Sequence, residues 1–252
     1  MEGPSLYLAA EQLKPFVGKI ITEVSGNSKI GIQRLEHKKI KNIFSWGKHL
    51  VFQFENFALR VHFMLFGSFE ATVEGESVTG DYKKKDRVPR LKLELTNGHI
   101  EMYSCSLKYL EEKHASKTYD FSVDVMSDDW QDKQALRRVL ANPNEQIADV
   151  LLDQTIFAGV GNIIKNEILF MAKVHPESLV SDIPEAKLRK LVKLARDFSQ
   201  QFYAWRKEFV LRKNLIIYRK STCPVCSGKV VRRKTGSRAR WSFYCPQCQK
   251  IN

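Results

Sequence analysis

Four of the five cysteines form two Cys-x-x-Cys pairs near the end of the 252-residue sequence. Cys223 and Cys226 form the first pair, Cys245 and Cys248 form the second, and 18 residues lie between the pairs. Each pair can present two thiolates from one tight turn, and four thiolates complete the tetrahedral shell of a structural zinc site. The spacing predicts one structural Zn²⁺ ion. Two redox-active dithiols or disulfides are the alternative interpretation.

The segment between the pairs is predicted to be a short hairpin with a basic end. Residues 229–231 and 241–244 are candidate strands around a turn at 235–237. Such a segment buries too little apolar surface to fold alone, so bound metal is expected to supply its folding free energy. Five cationic residues of this segment could bind phosphates. They are Arg232, Arg233, Lys234, Arg238 and Arg240.

A second candidate phosphate site lies at residues 159–162, which read Gly-Val-Gly-Asn. Gly159 and Gly161 allow a tight turn that exposes backbone amides, and Asn162 is expected to cap the helix that follows. Free N–H groups at a helix N-terminus bind phosphate. A turn of this kind before a helix is also common without any ligand, so the pattern alone is a weak signal.

Positive charge is concentrated next to the cysteine hairpin. The net charge is +13, and residues 201–252 contribute +12 of it with 13 basic residues and one acidic residue. Apolar residues are interleaved among these charges, so the region is expected to be folded and not a solvated tail. Clustered charge of this sort is typical of proteins that bind nucleic acid.

Neither export nor membrane insertion is predicted. The sequence contains no apolar run of 18 residues and no charged-then-apolar leader. Five cysteines, four of them in metal-binding spacing, fit a reducing compartment, and Cys105 is expected to be a buried single thiol. We therefore expect a monomeric cytoplasmic protein, associated with the nucleoid if its source is bacterial, with no membrane partner.

The elements that must position these residues change type along the chain. Residues 1–14 show helical spacing, and residues from about 18 to 110 alternate with a period of two, which predicts strands. Asn97 and Gly98 favour the two-residue turn of a hairpin. The first part of the chain is therefore expected to be a β-sandwich or barrel preceded by a short helix.

The second part of the chain is predicted to be helical. A polar, acidic link covers residues 114–131. The longest predicted helix runs from about 183 to 205 and begins with a capping box formed by Asp182 and Glu185. Shorter helices are predicted at 134–140, 144–152 and 163–172. The pattern as a whole indicates an α+β, multi-domain protein.

This order of features resembles the formamidopyrimidine-DNA glycosylase/endonuclease VIII family over the whole chain. Residues 151–169 and 102–106 make it more similar to the endonuclease VIII branch. The resemblance implies a catalytic β-sandwich domain over residues 1–118 and a helix–two-turn–helix DNA-binding domain over residues 126–218. It also implies a four-cysteine zinc finger over residues 219–252.

The resemblance implies a DNA glycosylase with abasic-site lyase activity in base-excision repair. Such an enzyme flips an oxidised base out of damaged double-stranded DNA, cuts its glycosidic bond and nicks the strand by β,δ-elimination. The N-terminal amine forms the Schiff base. A non-catalytic damaged-DNA-binding protein is the alternative, because Met1 stands where the family has proline.

The family's catalytic residues correspond to three positions in the first part of the chain. Met1 would supply the nucleophilic α-amine, whose reference pKa of about 8 leaves part of it unprotonated at neutral pH. Glu2 matches the general acid/base, and Ser5 replaces the family's second glutamate. Lys48 matches the active-site lysine that binds a phosphate next to the lesion.

The family's DNA-contacting residues correspond to two further groups. Met64, Leu65 and Phe66, here called the wedge, match the loop that fills the void left by the flipped base. Asn162 and Arg240 match phosphate-binding residues, with Arg240 also expected to assist catalysis and Arg238 as its competitor. Residues 104–109 lack the arginine and phenylalanine that read the opposite base in the formamidopyrimidine branch, which favours oxidised pyrimidines.

Overall fold

The structure, a computed structural model, describes residues 1–80 and 87–251. The chain folds into two compact units, Met1–Asp120 and Phe121–Asn252. The boundary lies in the predicted polar link, and the cysteine hairpin belongs to the second unit. Within the described ranges, no helix is both long and apolar enough to cross a membrane.

The first unit begins with helix α1, Gly3–Gln12. Pro4 is tolerated there because the first turn of a helix does not need its N–H. Leu6, Ala9 and Leu13 recur at helical spacing and are fully buried in the core of this unit. The helix therefore fixes the N-terminal residues against the sheet that follows.

Seven antiparallel strands form the sheet of the first unit, in the order β1-β6-β7-β4-β3-β2 with β5 paired to β4. The strands are β1 Ile21–Ser25, β2 Asn42–Trp46, β3 His49–Gln53, β4 Ala58–Val73, β5 Glu76–Thr79, β6 Leu91–Leu95 and β7 Gly98–Leu110. Alternate apolar residues on these strands face the core, as period-two patterning requires. Short 3-10 turns occur at Lys14–Phe16, Ile32–Leu35 and Ala115–Thr118.

Strands β4 and β7 are long and pair with each other along two separate stretches. Residues 58–63 pair with 105–110, and residues 68–73 pair with 98–103. The register breaks between Phe63 and Ser68. The residues on both sides of the wedge therefore belong to one strand, which is interrupted at the wedge.

The hairpin between β6 and β7 turns one residue earlier than predicted. Leu95 pairs directly with Gly98, so Thr96 and Asn97 form the turn. Gly98 serves a different purpose, because a Cβ atom there would lie 1.8 Å from the Thr72 carbonyl oxygen. The glycine is required for the close approach of β4 and not for the turn itself.

The second unit consists of helices followed by the cysteine hairpin. The helices are α2 Asp132–Leu140, α3 Ile147–Val150, α4 Asn162–Met171, α5 Glu185–Lys207 and α6 Leu211–Asn214, with 3-10 turns at Phe121–Val123 and Val180–Asp182. The buried face of α5 carries Leu188, Leu191, Ala195, Phe198 and Phe202 into a core shared with α2 and α4. Helix α3 is shorter than the predicted 144–152.

The capping box predicted for α5 is wrong. Pro184 occupies the N-cap position and makes no side-chain cap. Asp182 instead accepts a hydrogen bond from Ser181 Oγ at 3.0 Å, and Glu185 forms an ion pair with Arg189 one turn along. Proline favours the extended conformation before a helix, so the helix begins without the predicted cap.

The cysteine hairpin consists of strands β8, Val231–Thr235, and β9, Arg240–Tyr244. Gly236 adopts φ +75° in the turn between them, a conformation that glycine reaches without strain. A sandwich with a short N-terminal helix, a helical domain and a four-cysteine hairpin are all present. The predicted α+β fold class is confirmed.

Candidate nucleic-acid interface and metal centre

The four cysteines predicted to bind metal come together at the base of the hairpin. Their sulfur atoms all lie within 4.8 Å of one another. Cys223 Sγ and Cys248 Sγ are 3.8 Å apart, and Cys226 Sγ and Cys245 Sγ are 3.4 Å apart. Tetrahedral Zn–S bonds of about 2.3 Å put sulfur atoms about 3.8 Å apart. The donor set and its spacing therefore fit one metal ion.

The glycine turn leads into α4 without a side-chain cap. Gly159 adopts φ +99°, and Gly161 is the N-cap residue. Asn162 is the first residue of the helix, so the prediction that its side chain caps the helix is wrong. Its Oδ1 atom is buried, and the described residues give it no hydrogen-bond partner. Asn162 therefore does not stabilise its own helix through a side-chain cap.

Three consecutive polar residues of α4 are buried and bind other segments. Lys165, Asn166 and Glu167 are at most 1% exposed. Lys165 Nζ donates to Ser242 Oγ at 2.9 Å and to the Trp241 carbonyl oxygen at 3.2 Å. These bonds join α4 to β9.

The other two members of this polar run complete the connection. Asn166 Oδ1 accepts a hydrogen bond from the Phe243 amide at 2.7 Å. The Glu167 carboxylate accepts bonds from the amides of Ile216, Ile217 and Tyr218, at 2.7 to 3.0 Å. None of these three polar residues was predicted from the sequence. A polar triplet inside an otherwise apolar helix was the signal that could have identified them.

The two candidate arginines of the hairpin have different surroundings. Arg238 donates to Asp153 Oδ2 at 3.0 Å and to the Leu152 carbonyl oxygen at 3.2 Å. Arg240 is exposed on β9, and within residues 1–80 and 87–251 its side chain has no ion pair or hydrogen bond. Arg238 therefore has a structural role in the turn, and Arg240 is the cation available to a ligand.

A buried carboxylate on α3 fixes the turn of the hairpin. Asp149 accepts hydrogen bonds from the amide of Ser237 at 2.6 Å, from its hydroxyl at 3.0 Å and from the Arg238 amide at 3.3 Å. Gln146 also accepts a bond from the Gly236 amide at 3.1 Å. The helical part of the unit therefore holds both the tip and the second strand of the hairpin.

The remaining cations of the hairpin contact other side chains. The Arg232 guanidinium lies 4.2 Å from the centre of the Trp241 ring, and Lys234 Nζ lies 5.6 Å from it. Arg233 forms an ion pair with Glu177. The predicted cationic cluster thus divides into residues with structural partners and the exposed Arg240.

In the first unit, the charges of two candidate catalytic residues, Met1 and Lys48, act on one histidine. His62 Nδ1 donates to the carbonyl oxygen of Lys48 at 3.1 Å. Burial holds the pKa of His62 below its ordinary value, and the positive charges of the Met1 amine, Lys48 and Arg60 lower it further, against the raising effect of that hydrogen bond. The charges of the Met1 amine and Lys48 thus both act on the imidazole of His62, a residue that was not predicted from the sequence.

The chain start is held by both helix and core. Met1 is half-buried and packs against the core of the first unit. Glu2 is the N-cap residue of α1, and its carbonyl oxygen accepts bonds from the amides of Ser5 at 2.9 Å and Leu6 at 3.2 Å. The position of the α-amine is therefore fixed by the first turn of the helix.

A second histidine lies behind this cluster. The ring of His49 packs edge-on against His62, with centroids 5.5 Å apart, and also contacts Trp46 and Tyr119. Burial lowers the pKa of His49 to about 4, with smaller contributions from the charges of Arg60, His62 and Lys48. His49 is therefore neutral at physiological pH.

The wedge side chains are exposed at the register break of β4. Met64 is 53% exposed, Leu65 is 78% and Phe66 is 49%. Phe66 adopts φ +64°, and Gly67 follows where a Cβ would lie 2.8 Å from the Ser104 carbonyl oxygen. Three adjacent exposed apolar side chains are typical of a surface that binds a partner.

Residues 104–109 contain no evident base reader. Cys105 is buried, as predicted, and burial raises the pKa of its thiol to about 12, which makes the thiol unreactive. The Tyr109 hydroxyl donates a hydrogen bond to the Gly31 carbonyl oxygen at 2.9 Å, and the Arg34 guanidinium lies 4.9 Å from the centre of the Tyr109 ring. Tyr109 is therefore part of the scaffold.

Comparison with known proteins agrees with this architecture. Residues 122–201 match the family model described as the formamidopyrimidine-DNA glycosylase H2TH domain. Endonuclease 8-like 3 of Mus musculus is 33% identical over 211 residues, which are 82% of this chain and 34% of that protein. Endonuclease 8-like 2 of Bos taurus is 33% identical over 76% of this chain and 58% of its own length. The chain therefore spans only about a third to three fifths of these relatives.

Solved structures with the same fold cover nearly the whole chain. A viral DNA glycosylase matches with a TM-score of 0.83 and 23% identity, over 99% of this chain and all of that one. The formamido-pyrimidine DNA glycosylase of Lactococcus lactis, bound to DNA with an abasic site, matches equally well at 20% identity. Together with the H2TH match and the endonuclease 8-like relatives, these findings lead to one conclusion. The chain belongs to the formamidopyrimidine-DNA glycosylase/endonuclease VIII family.

Proposed function

We propose that this protein is a DNA glycosylase with abasic-site lyase activity, and that its nucleophile is the α-amine of Met1. The observation that carries the proposal is that the charges of the Met1 amine and Lys48 both act on His62, whose Nδ1 donates to the Lys48 carbonyl oxygen. An amine next to cations and a neutral imidazole can act as a nucleophile in its unprotonated form. The endonuclease 8-like relatives and the DNA glycosylases among the structural neighbours support this assignment.

The proposed chemistry begins at C1′ of the damaged nucleotide. The amine lone pair forms a bond to C1′ while the glycosidic bond breaks and the base leaves with the bonding electrons and a proton. Opening of the sugar ring then gives a Schiff base. Loss of a C2′ proton expels the 3′ phosphate, and a second elimination expels the 5′ phosphate. Glu2, next to the nucleophile in sequence, is proposed to transfer the protons.

The second unit is proposed to hold the DNA backbone. Asn162, the first residue of α4, and the exposed Arg240 lie on two elements that Lys165 and Asn166 join. A guanidinium and a helix N-terminus are both phosphate-binding groups. The four cysteines are proposed to bind one structural Zn²⁺, which would stabilise the hairpin that carries Arg240.

The substrate is proposed to be an oxidised pyrimidine in double-stranded DNA. The absence of an arginine and a phenylalanine in residues 104–109 of the sequence supports this choice over oxidised purines. The wedge supports a duplex substrate, because an apolar side chain has a void to fill only where a base has left a stack. The monomeric state and the cytoplasmic location remain predictions.

Borohydride trapping tests the proposed function. Protein with a free Met1 amine, verified by mass spectrometry, is mixed with duplex DNA that carries an abasic site, and borohydride reduces any Schiff base to a stable adduct. We expect an adduct that maps to the Met1 peptide. Protein whose α-amine has been blocked by acetylation is the matched control and is expected to form none.

A non-catalytic damaged-DNA-binding protein is the second candidate function. The observation that favours it is the methionine at a position where the family has proline. It predicts tight, salt-sensitive binding to damaged duplexes with no adduct and no nicking. Failure of verified free-amine protein to form an adduct, together with retained binding, would establish this alternative in place of the lyase.

A further inference from the structure

The wedge lies where the regular pairing of β4 with β7 is interrupted. Between the pairs Phe63–Cys105 and Ser68–Tyr103, four residues of β4 face the single residue Ser104 of β7. The regular β4–β7 ladder is interrupted over this interval. Phe66 and Ser104 both adopt positive φ, +64° and +46°, so the two strands depart from extended backbone at the same place.

One arginine from outside these strands bridges the gap. Arg87 Nη1 donates to the Phe66 carbonyl oxygen at 3.2 Å, and Arg87 Nη2 donates to Ser104 Oγ. Its guanidinium also lies 5.5 Å from the centre of the Tyr103 ring. A single planar group with several donors thus connects the wedge, the opposing residue of β7 and the next aromatic residue.

We propose that Arg87 is a positioning residue that holds the wedge in the conformation needed to enter the DNA stack. This inference rests on the proposed function, since it assigns a role within the same DNA site. Exposed apolar side chains that must fill a void lose conformational entropy on insertion, and a structure already ordered before binding reduces that loss. Arg87 provides this order by replacing ladder bonds that the register break removes.

The role of Arg87 differs from that of a general phosphate-binding cation. A cation that binds phosphate would contribute to every DNA substrate, whether duplex or single-stranded. A residue that orders the wedge matters only where a base stack must be entered. The ratio of duplex to single-strand activity therefore separates the two roles.

The matched pair of variants is Arg87→Ala and Arg90→Ala. Arg90 lies three residues away, carries the same charge and donates instead to the Asn27 carbonyl oxygen at 2.9 Å. For Arg87→Ala we expect single-turnover excision from duplex DNA to fall about tenfold, the size expected for losing hydrogen bonds from a charged donor. Excision from single-stranded DNA should stay within about twofold, and Arg90→Ala should leave the ratio unchanged.

Hydrogen–deuterium exchange provides a readout that needs neither DNA nor catalysis. Amides of residues 64–67 are expected to exchange about tenfold faster in Arg87→Ala than in the wild type, with Arg87→Lys intermediate. Equal exchange in all the variants would overturn the proposal, as would an equal loss of duplex and single-strand activity. If the wild type shows no excision at all, the proposed function fails, while the exchange result still decides whether Arg87 orders the wedge.

Discussion

The buried ammonium group of Lys165 donates to Ser242 Oγ at 2.9 Å and so joins α4 to the second strand of the cysteine hairpin. Lys165 lies three residues after Asn162, and Ser242 lies two residues after Arg240. The relative position of these two proposed phosphate ligands is therefore set inside one hydrogen-bonded core and not by the flexible ends of surface side chains. This connection can be tested by substitution, and so can the roles proposed for residues of the first unit.

Replacing Lys165 by methionine is expected to destabilise the second unit. The substitution keeps the length of the side chain but removes the donor to the Trp241 carbonyl and the Ser242 hydroxyl, at a cost of about 1–3 kcal/mol. Urea unfolding followed by fluorescence measures this loss. Lys193→Met, at an exposed position of α5, is the control and should change the free energy of unfolding little. Equal effects of the two substitutions would contradict a specific role for Lys165.

Arg240→Ala and Arg238→Ala are expected to have different effects. Removing Arg240 should leave folding and zinc content intact, weaken DNA binding and reduce the slope of log affinity against log salt by about one. Removing Arg238 breaks its half-exposed ion pair with Asp153, which is expected to cost about 1 kcal/mol or less. Binding titrations at several salt concentrations, together with thermal melts, separate the two. A larger salt effect for Arg238→Ala would reverse the assignment.

One zinc ion per chain is expected, bound by the four hairpin cysteines. Cys226→Ser should lower the zinc content, as measured by elemental mass spectrometry. It should also abolish DNA binding, because the hairpin depends on metal for its folding. Cys105→Ala is the control, since this buried thiol lies in the other unit. It is expected to keep the full zinc content, and an equal loss in both variants would show that the four sulfur atoms are not the ligands.

The stability of the first unit is expected to depend on pH through His49. Its pKa is about 4 in the folded protein and about 6.5 when unfolded, so the unfolded state binds more protons between these values. The contribution is fully present above about pH 6.5 and is lost as pH falls towards 4. His49→Tyr should make the fall in melting temperature between pH 7 and pH 4.5 shallower. An unchanged slope would mean that His49 is not the titrating group, leaving His62 as the other candidate.

Glu2→Gln is expected to separate the two halves of the proposed reaction. Loss of the carboxylate should slow base excision by about a hundredfold or more, the lower end of typical general acid–base contributions. Schiff-base formation on a preformed abasic site should fall much less, because no base has to leave. Glu11→Gln, near the other end of α1, is the control. Parallel losses in excision and trapping would point to a damaged helix start and not to proton transfer.

Much of the site could be predicted from the sequence because its motifs are local. The cysteine pairs, the glycine turn and the run Met64-Leu65-Phe66 are each defined by neighbours along the chain. The structure places the four cysteines together, as their spacing predicted, and exposes the wedge at a register break. The predicted Asn97–Gly98 turn failed because a tertiary contact, the approach of Thr72 to Gly98, overrides local preference. The predicted Asp182–Glu185 capping box failed because Pro184 occupies the N-cap position.

Contacts between distant segments could not be predicted in this way. His62 meets Lys48 only through the pairing of β3 with β4, and Arg87 reaches Phe66 and Ser104 from a separate segment. The choice between Arg238 and Arg240 depends on Asp153, which lies 85 positions away in the sequence.

The sequence by itself determined which chemical groups are present and which local motifs carry them: the four cysteines, the glycine turn, the terminal amine and the apolar wedge. The tertiary structure decided which of several similar cations is committed to the scaffold and which is available to a ligand. The physical reason is that availability depends on the partners a side chain meets after folding. Strand register and helix packing choose those partners, and they act between residues that are far apart along the chain.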